Sequence, residues 1–481
     1  MSSLQIANAF VYVKQTVITT IIPFLTTLVL VRFLSPEEFG VFALSQVFAI
    51  VLLGIFSLGL LVGYERNYFE HQDEHERHNA LFCDVQLISI LLFAMAVMAT
   101  AILLDPVSRL MNIESGSVVI MATLAGHAFD KLSQYFLIYY RNSERALVYS
   151  RIMIAQVGLN AVISLIAVIV YQLAATGLAL GYAFSWFVIY LFLASRWLRE
   201  KGWNHNWPLL LEVLKISVPV TPRSLAVIIS AQSDKYMLGE FKSIGDVGIY
   251  SIASRIGSVV NSFMIALQNV YVPYLFNHMF SETQKNDEEI SRYLEKVIYI
   301  SLFPSIGIML GAYEIVWVLL PVEYSKAYVV LALFALYYGI IVFGKITSKQ
   351  LLYAKKTGLV SLLTIVYAIL NVLLNIPLIY HFGIVGAVIA TLLTGGLATF
   401  VGFALAQKYR YLPWNIASIM QVLLVLFTGL GCIVAIEIWS IDYLVSIPLR
   451  LTVIGLYLLL GVKSGILNRS MLTRLRQHWR S

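Results

Sequence analysis

Apolar runs of about 20 residues recur along the whole chain, each closed by a short polar break, and about fourteen can be counted. Coiled as a helix at about 1.5 Å per residue, a run of that length crosses the ~30 Å of hydrocarbon in a bilayer. Whatever this chain does, it does from inside a membrane. The apolar fraction is 59% and the charged fraction 12%; soluble domains sit near about 45–50% and about 25%. The breaks reach about 20 residues at most, too few to enclose a soluble core. The fold class is therefore an all-α polytopic membrane protein of about fourteen transmembrane helices, with no catalytic domain in the water.

The spans read as 10–32, 39–62, 80–104, 116–139, 150–172, 175–195, 214–238, 249–273, 294–320, 327–349, 358–380, 384–407, 416–438 and 443–461. An even number puts both termini on one side. Loops on that side carry about 21 Lys and Arg; the other side has about 4, namely Arg32, Arg109, Lys242 and Lys326. Positively charged loops stay in the cytoplasm, so both termini are expected there. The basic tail after 461, with Arg469, Arg474, Arg476 and Arg480, is expected to lie on anionic lipid or to act as a simple stop anchor. The net charge of +7 is spread over many loops and is a poor signal for nucleic acid. Cys83 and Cys432 fall in or beside apolar runs and offer neither a disulfide framework nor a metal site. The first run is too long for a cleaved signal peptide and reads as the first span.

The chain partly repeats itself after about 208 residues. Ser35-Pro36-Glu37-Glu38-Phe39-Gly40-Val41-Phe42-Ala43-Leu44 lies over Ser243-Ile244-Gly245-Asp246-Val247-Gly248-Ile249-Tyr250-Ser251-Ile252. Both read as helix starts with Ser as N-cap and an acid three residues on, the pattern of a capping box, with Asp246 a weaker version of Glu38. Leu159-Asn160 followed by Gly177 is echoed by Leu370-Asn371 followed by Gly386, at nearly the same offset. Six spans separate the echoes, so both halves enter the membrane in the same direction. Transporters built from such parallel repeats bind substrate between the halves. The expected organisation is a six-helix lobe over 1–200, a second over 201–412, two accessory helices over 413–461 and a basic cytoplasmic tail over 462–481.

Arg32-Phe33-Leu34-Ser35-Pro36-Glu37-Glu38-Phe39-Gly40 after a first span resembles the opening of the Wzx-type lipid-linked oligosaccharide flippases. So does Asn371, with Asn375-Ile376-Pro377-Leu378 and then Gly383-Ile384-Val385-Gly386-Ala387. That family belongs to the superfamily of multidrug extruders and peptidoglycan-precursor flippases, and the resemblance covers essentially the whole chain. It implies a V-shaped pair of six-helix lobes around a cavity that opens first to the cytoplasm and then outward. The implied cargo is an isoprenoid pyrophosphate carrying a short glycan, whose tail stays in lipid. The implied place is the bacterial inner membrane, in polysaccharide biosynthesis of the lipopolysaccharide O-antigen kind. The implied partners are the membrane lipids and the polymerase and chain-length proteins of such a pathway.

A charge within a span costs about 2.5–3.5 kcal/mol on insertion scales, so it meets a partner or water and usually serves function. Eight cations fall there: Lys14, Lys131, Arg223, Lys235, Arg255, Lys296, Lys345 and Arg450. Acids within the spans include Asp130, Asp234 and Glu314, with Glu295 and Glu437 at span edges. A moving pyrophosphate needs this positive excess, and Arg offers its oxygens a fork of donors. In Ser217-Val218-Pro219-Val220-Thr221-Pro222-Arg223, two prolines three apart are expected to break and bend the helix. Arg223 follows that break, and Arg255 lies a quarter into the next span. Arg223 and Arg255, with Lys14 and Lys131 from the first half, are expected to line the cavity and attract the pyrophosphate.

Other readings stand beside this one. Lys14, Lys296 and Lys345 lie near cytoplasmic helix ends and can snorkel to the surface. Asp130-Lys131 and Asp234-Lys235 can be neutralised by neighbours on other helices, since adjacent residues of a helix do not face each other. Arg450 lies outside the repeat, where a lipid or interhelix contact is expected. Gln268 and Asn269, a polar pair in span 8, are expected at the cavity; Gln134, Gln232 and Asn261 lie on spans that can face it. Tyr139 and Tyr140 are expected in the interfacial aromatic belt, and Asn371 with Asn375 in helix packing or interhelix hydrogen bonds. His71, His75 and His78 have a helical spacing that suits a metal, but the break at 70–78 is expected to be a solvated linker.

The leading function is a flippase for an undecaprenyl-type pyrophosphate-linked oligosaccharide, working by alternating access. The alternative is a cation- or proton-coupled multidrug antiporter of the same superfamily. Cationic drugs need an acidic cavity, however, and the first span offers Lys14 where an Asp would suit. A membrane polymerase or ligase would need sizeable outer loops, and here they hold about 3–12 residues. The chain is therefore expected not to be an enzyme. No GxxxxGK[ST] loop is present, so neither ATP nor another cofactor is expected. A coupling ion, H+ or Na+, would be carried by Asp130, Asp234 or Glu314.

Overall fold

The computed structural model describes residues 3–70, 74–113, 116–279, 284–464 and 466; among them there are helices and no strands. The basic tail beyond residue 466 lies outside the described residues. In chain order the helices are α1 (Ser3–Leu30), α2 (Pro36–Phe56), α3 (Leu60–Glu70), α4 (His75–Ile102), α5 (Leu104–Leu110), α6 (Ser117–Asn142), α7 (Ala146–Leu165) and α8 (Ala174–Lys201). They continue as α9 (Trp207–Phe241), α10 (Ile244–Met279), α11 (Gln284–Leu310), α12 (Ala312–Leu319), α13 (Ala327–Tyr353), α14 (Thr357–Tyr409), α15 (Ile416–Ile438) and α16 (Tyr443–Lys463).

Twelve of these helices are long and apolar enough to cross a membrane. Two more follow from the geometry. α14 is 53 residues long but consists of two arms, because Gly383 within it adopts φ 58° and ψ −133°. That left-handed conformation costs glycine little and other residues more. A Cβ placed on Gly386 would land on the carbonyl oxygen of Leu378. Residues eight apart on a straight helix are about 12 Å apart, so the chain folds back on itself at Gly383. Lys242 Nζ donates to the Tyr380 carbonyl at 2.9 Å, next to this turn. The other addition is α6, whose 26 residues suffice for about 39 Å. His127, Asp130, Lys131 and Gln134 keep its hydropathy low. Fourteen membrane-length helices thus stand among the described residues, and α3, α5 and α12 are short segments beside them.

The repeat extends to the elements. Pro36 to Ile244, opening α2 and α10, is 208 residues; His75 to Gln284, opening α4 and α11, is 209. Leu104 to Ala312, opening the short α5 and α12, is 208, and Ser117 to Ala327, opening α6 and α13, is 210. The matched Ser motifs cap their helices differently. Ser35 Oγ accepts the Glu38 N–H at 3.2 Å and Glu38 returns to the Ser35 N–H at 2.8 Å, a complete capping box. Ser243 Oγ accepts the Asp246 N–H at 3.0 Å, but the shorter Asp246 side chain accepts from the Ser243 hydroxyl instead, also at 3.0 Å.

Several local expectations are corrected. The run at 39–62 is not one span: α2 ends at Phe56, and Leu58 and Gly59, at φ 46° and 63°, turn the chain into α3. The run at 294–320 divides between α11 and α12 around Gly311. α9 is continuous through Pro219 and Pro222 rather than broken. The Thr221 and Ser224 hydroxyls donate to the Ser217 and Val220 carbonyls at 3.0 and 3.3 Å, adding bonds in turns that the prolines leave short of N–H donors. His78 is not in a solvated linker. α4 has begun by then, and His78 is buried with Nε2 3.3 Å from the Tyr64 hydroxyl and its ring stacked on Tyr139. His71 and the side chain of His75 lie outside the described residues. Tyr139 and Tyr140 are buried in the same core; Lys201 Nζ donates to the Tyr139 hydroxyl at 2.8 Å.

Packing gathers the chain into two compact units. The first comprises Met1–Ile252, Leu320–Tyr324 and Ala368–Ala387; the second comprises Ala253–Leu319, Ser325–Tyr367 and Val388–Ser481. An aromatic core on α3, α4, α6 and α8 organises the first, with Phe82 stacked on Trp197 at 3.8 Å between ring centroids. In the second, α16 is fastened to α11 by stacked Tyr299 and Tyr457, 4.4 Å apart, with the Tyr299 hydroxyl donating to the Tyr457 carbonyl at 2.8 Å. α15 is held by its cap, where the Asn415 N–H donates to Glu295 at 2.8 Å.

Candidate functional site

The intramembrane cations divide evenly. Lys14, Lys131, Arg223 and Lys235 belong to the first unit, and Arg255, Lys296, Lys345 and Arg450 to the second. Arg223 on α9 and Lys14 on α1 are exposed. Neither takes part in an ion pair among the described residues. Lys131 on α6 and Arg255 on α10 are half-buried, as is Gln268 on α10. The side chain of Asn269 lies outside the described residues. The four cations assigned to the pyrophosphate thus fall three in the first unit and one in the second.

The acids are better supplied with partners. Asp130 accepts from Gln134 Nε2 at 2.8 Å and from the Tyr182 hydroxyl at 3.0 Å. The same hydroxyl lies 3.2 Å from His127 Nδ1. With the phenolic proton given to Asp130, that nitrogen is the donor. Asp234 on α9 is buried and accepts from the Tyr250 hydroxyl and from the Lys235 N–H, the latter at 2.8 Å. Nearby on α9, Ser230 donates to Asn371 at 3.5 Å and Ser233 accepts from Asn375 at 3.5 Å; Asn375 also donates to Asn371 at 3.3 Å. These are long bonds, and Asn375 Oδ1 is buried with no donor among the described residues. Asn371 and Asn375 therefore make the interhelix hydrogen bonds expected of them.

Glu314 on α12 is paired with Arg450 on α16. Arg450 also donates to Ser446 Oγ at 3.0 Å and to the Leu310 carbonyl at 3.3 Å. This is an interhelix contact, and it meets the charge on Glu314. Reading the sequence missed the tyrosines that carry the other two acids. One had left a signal: the repeat sets Tyr250 opposite Phe42, so the second half gains a hydroxyl where the first has a bare ring.

Residues 6–279 match the family model described as polysaccharide biosynthesis protein, more than half of the chain. The chain belongs to that family. Over 209 residues it is 27% identical to the probable low-salt glycan biosynthesis flippase Agl15 of Haloferax volcanii, covering 40% of this chain and 43% of that one. The match thus spans less than half the length of this curated relative. Among solved structures, this family member is similar to the lipid II flippase MurJ in its inward closed conformation, with a TM-score of 0.69, 14% identity, and 95% and 98% of the two chains covered. An inward-facing multidrug resistance transporter of the MATE family in the MOP superfamily gives a TM-score of 0.62 at 17% identity, covering 83% and 97%. The Vibrio cholerae MATE transporter VcmN gives 0.58 at 15%, covering 84% and 96%. At such identities the likeness shows the fold. The Ser35-Pro36 opening lies within the matched residues, and the chain is a multi-pass membrane protein of this family with the fold of these transporters.

Proposed function

We propose that this family member is a flippase that carries an undecaprenyl-type pyrophosphate-linked oligosaccharide from the cytoplasmic to the outer leaflet of a bacterial inner membrane by alternating access. The observation that carries the reading is the balance of charge within the spans. Glu314 is met by Arg450, and Asp130 and Asp234 are held by tyrosine hydroxyls, whereas Arg223 and Lys14 stand exposed without an acid. Uncompensated cations in a membrane suit an anion that must leave water. The family description and the glycan-biosynthesis name of the Haloferax volcanii relative agree with it. The protein moves its cargo and does not transform it, and the loop charges put both termini in the cytoplasm. Its partners are the polymerase and chain-length proteins of a polysaccharide pathway of the O-antigen kind.

Coupling to H+ or Na+ belongs at Asp234 in this reading. It is the most buried of the three candidate acids, and its α9–α14 surroundings include an amide oxygen, Asn375 Oδ1, with no donor.

The test is transport in proteoliposomes loaded with a defined lipid-linked oligosaccharide. The wild type is expected to move it, Arg223→Lys to keep most of the rate, and Arg223→Glu to lose about tenfold or more, the loss of one strong transition-state contact. A rate indifferent to the charge reversal would end the role of Arg223. If no lipid-linked glycan moved, and a cationic dye were exported in a manner lost with Asp234→Asn, the multidrug antiporter would replace the flippase.

A further inference from the structure

We infer that the second unit holds the phosphate group of a membrane lipid in a pocket between α13 and the two arms of α14, with Lys345 as its cation. The pocket has a volume of about 340 Å³ and is lined by Lys345, Ser348, Thr364 and Thr399 together with glycines of α13 and α14. That size lies within the roughly 300–1,000 Å³ of small-ligand sites.

Lys345 lies in a 27-residue helix whose most apolar 18-residue stretch has a mean hydropathy of 2.2. It is eight residues short of the end of α13 at Tyr353, about 12 Å along the helix. Its ammonium does not turn to the helix end, as snorkelling would require. It donates to Asn261 Oδ1 on α10, a neutral partner, and it takes part in no ion pair among the described residues. An ammonium has three N–H donors, so two remain for the pocket. The Ser348 and Thr364 hydroxyls are spent on the carbonyls of Lys345 and Val360, each at 2.8 Å. Thr399 is uncommitted. Its Oγ1 lies 2.8 Å from where a Cβ on Gly344 would be, beside Lys345 in the chain. The pocket therefore offers one uncompensated positive charge, free N–H donors and a free hydroxyl, and no acid lines it. That is a receptor for phosphate oxygens.

A pocket among membrane-spanning helices suits a phosphate that is anchored in the bilayer, and the phosphate is therefore assigned to a lipid. The choice of carrier pyrophosphate over phospholipid rests on the flippase reading; the anion site rests on the pocket alone.

The test uses the full chain in phosphatidylcholine nanodiscs, titrated separately with undecaprenyl pyrophosphate and with phosphatidylglycerol and followed by native mass spectrometry. Undecaprenyl pyrophosphate is expected to bind, to bind about tenfold or more weakly to Lys345→Gln, and to bind Lys345→Arg nearly as well as wild type. Gly402→Leu tests the pocket with Lys345 intact, since a Cβ there meets only Thr347 Oγ1, at 3.6 Å. The larger side chain is expected to fill the space and weaken binding as much. If only phosphatidylglycerol depends on Lys345, the site stands and its lipid is a phospholipid. If neither ligand loses affinity in Lys345→Gln and Gly402→Leu, the site is overturned, while transport of lipid-linked glycan by the wild type would leave the flippase reading untouched. Absent transport with Lys345-dependent binding intact would sink that reading alone.

Discussion

Gly40 and Gly248 occupy the same place in the two repeats, and each is pressed against the helix start of the other. A Cβ on Gly40 would overlap the carbonyl oxygen of Ile244, and one on Gly248 the carbonyl oxygen of Pro36. Pro36 and Ile244 are themselves a matched pair, so the contact reads the same from either side. It is the local signature of a two-fold relation between α2 and the beginning of α10, the self-complementary geometry of a symmetric interface written within one chain.

Gly40→Ala and Gly248→Ala are each expected to destabilise the protein by about 1–3 kcal/mol, the usual cost of forcing an extra methyl group into a packed site. The double variant should lose less than the sum, because the first methyl already parts the helices. Thermal unfolding of the purified proteins in detergent checks this; wild-type melting in both single variants would show that the backbones are not in contact.

Asp234→Asn is expected to leave the fold intact, because the Tyr250 hydroxyl can donate to an amide oxygen as it does to the carboxylate. Gradient-driven transport should fall at least tenfold, while downhill exchange of substrate continues, about the penalty of one lost driving contact. Flux under imposed Na+ and H+ gradients distinguishes the two ions. Unchanged coupling in this variant would move the role elsewhere.

The Arg450–Glu314 pair is expected to be structural. Losing one partner of a buried pair costs about 3–5 kcal/mol. Glu314 is 34% exposed, so Arg450→Met should cost less, about 1–3 kcal/mol. Joint replacement by Arg450→Met and Glu314→Leu should recover much of the loss. Transport per folded molecule should not change in either, and a specific loss of flux at normal stability would make the pair functional.

Tyr324 lies outside the spans, is fully buried, and donates to the Leu34 carbonyl at 3.0 Å. Burial raises its pKa, with a further push from Glu38 and Glu37. The folded state therefore favours the neutral phenol. Its contribution to stability is fully present below the unfolded value of about 10 and is lost as the pH climbs above it. Tyr324→Phe should cost about 1 kcal/mol at neutral pH and should flatten the decline in melting temperature above about pH 10. An unchanged alkaline decline would show that this phenol does not titrate with unfolding.

The membrane helices were legible because runs of apolar residues have one physical meaning, and the repeat because Ser-capped helix starts recur at a fixed distance. α6 was legible by length although its polar residues keep its hydropathy low. The turn at Leu58–Gly59 was not, since an apolar residue with positive φ leaves no mark on an apolar run. His78 was misplaced because its neighbours in sequence are charged, whereas those in space, Tyr64 and Tyr139, come from α3 and α6. The cations were found by their cost in lipid. Their partners were not, because Tyr182 reaches Asp130 across 52 residues and the bond from Lys345 to Asn261 spans 84. Composition marks a charge in a span; only packing decides which hydroxyl or amide receives it.

A single residue, Gly383, joins the two arms of α14, and Gly386 rests on Leu378 just beyond it. With no slack at the tip, the arms cannot part there. A motion that spread the arms about that point would travel least at the tip and most at their far ends, like the legs of a pair of tweezers.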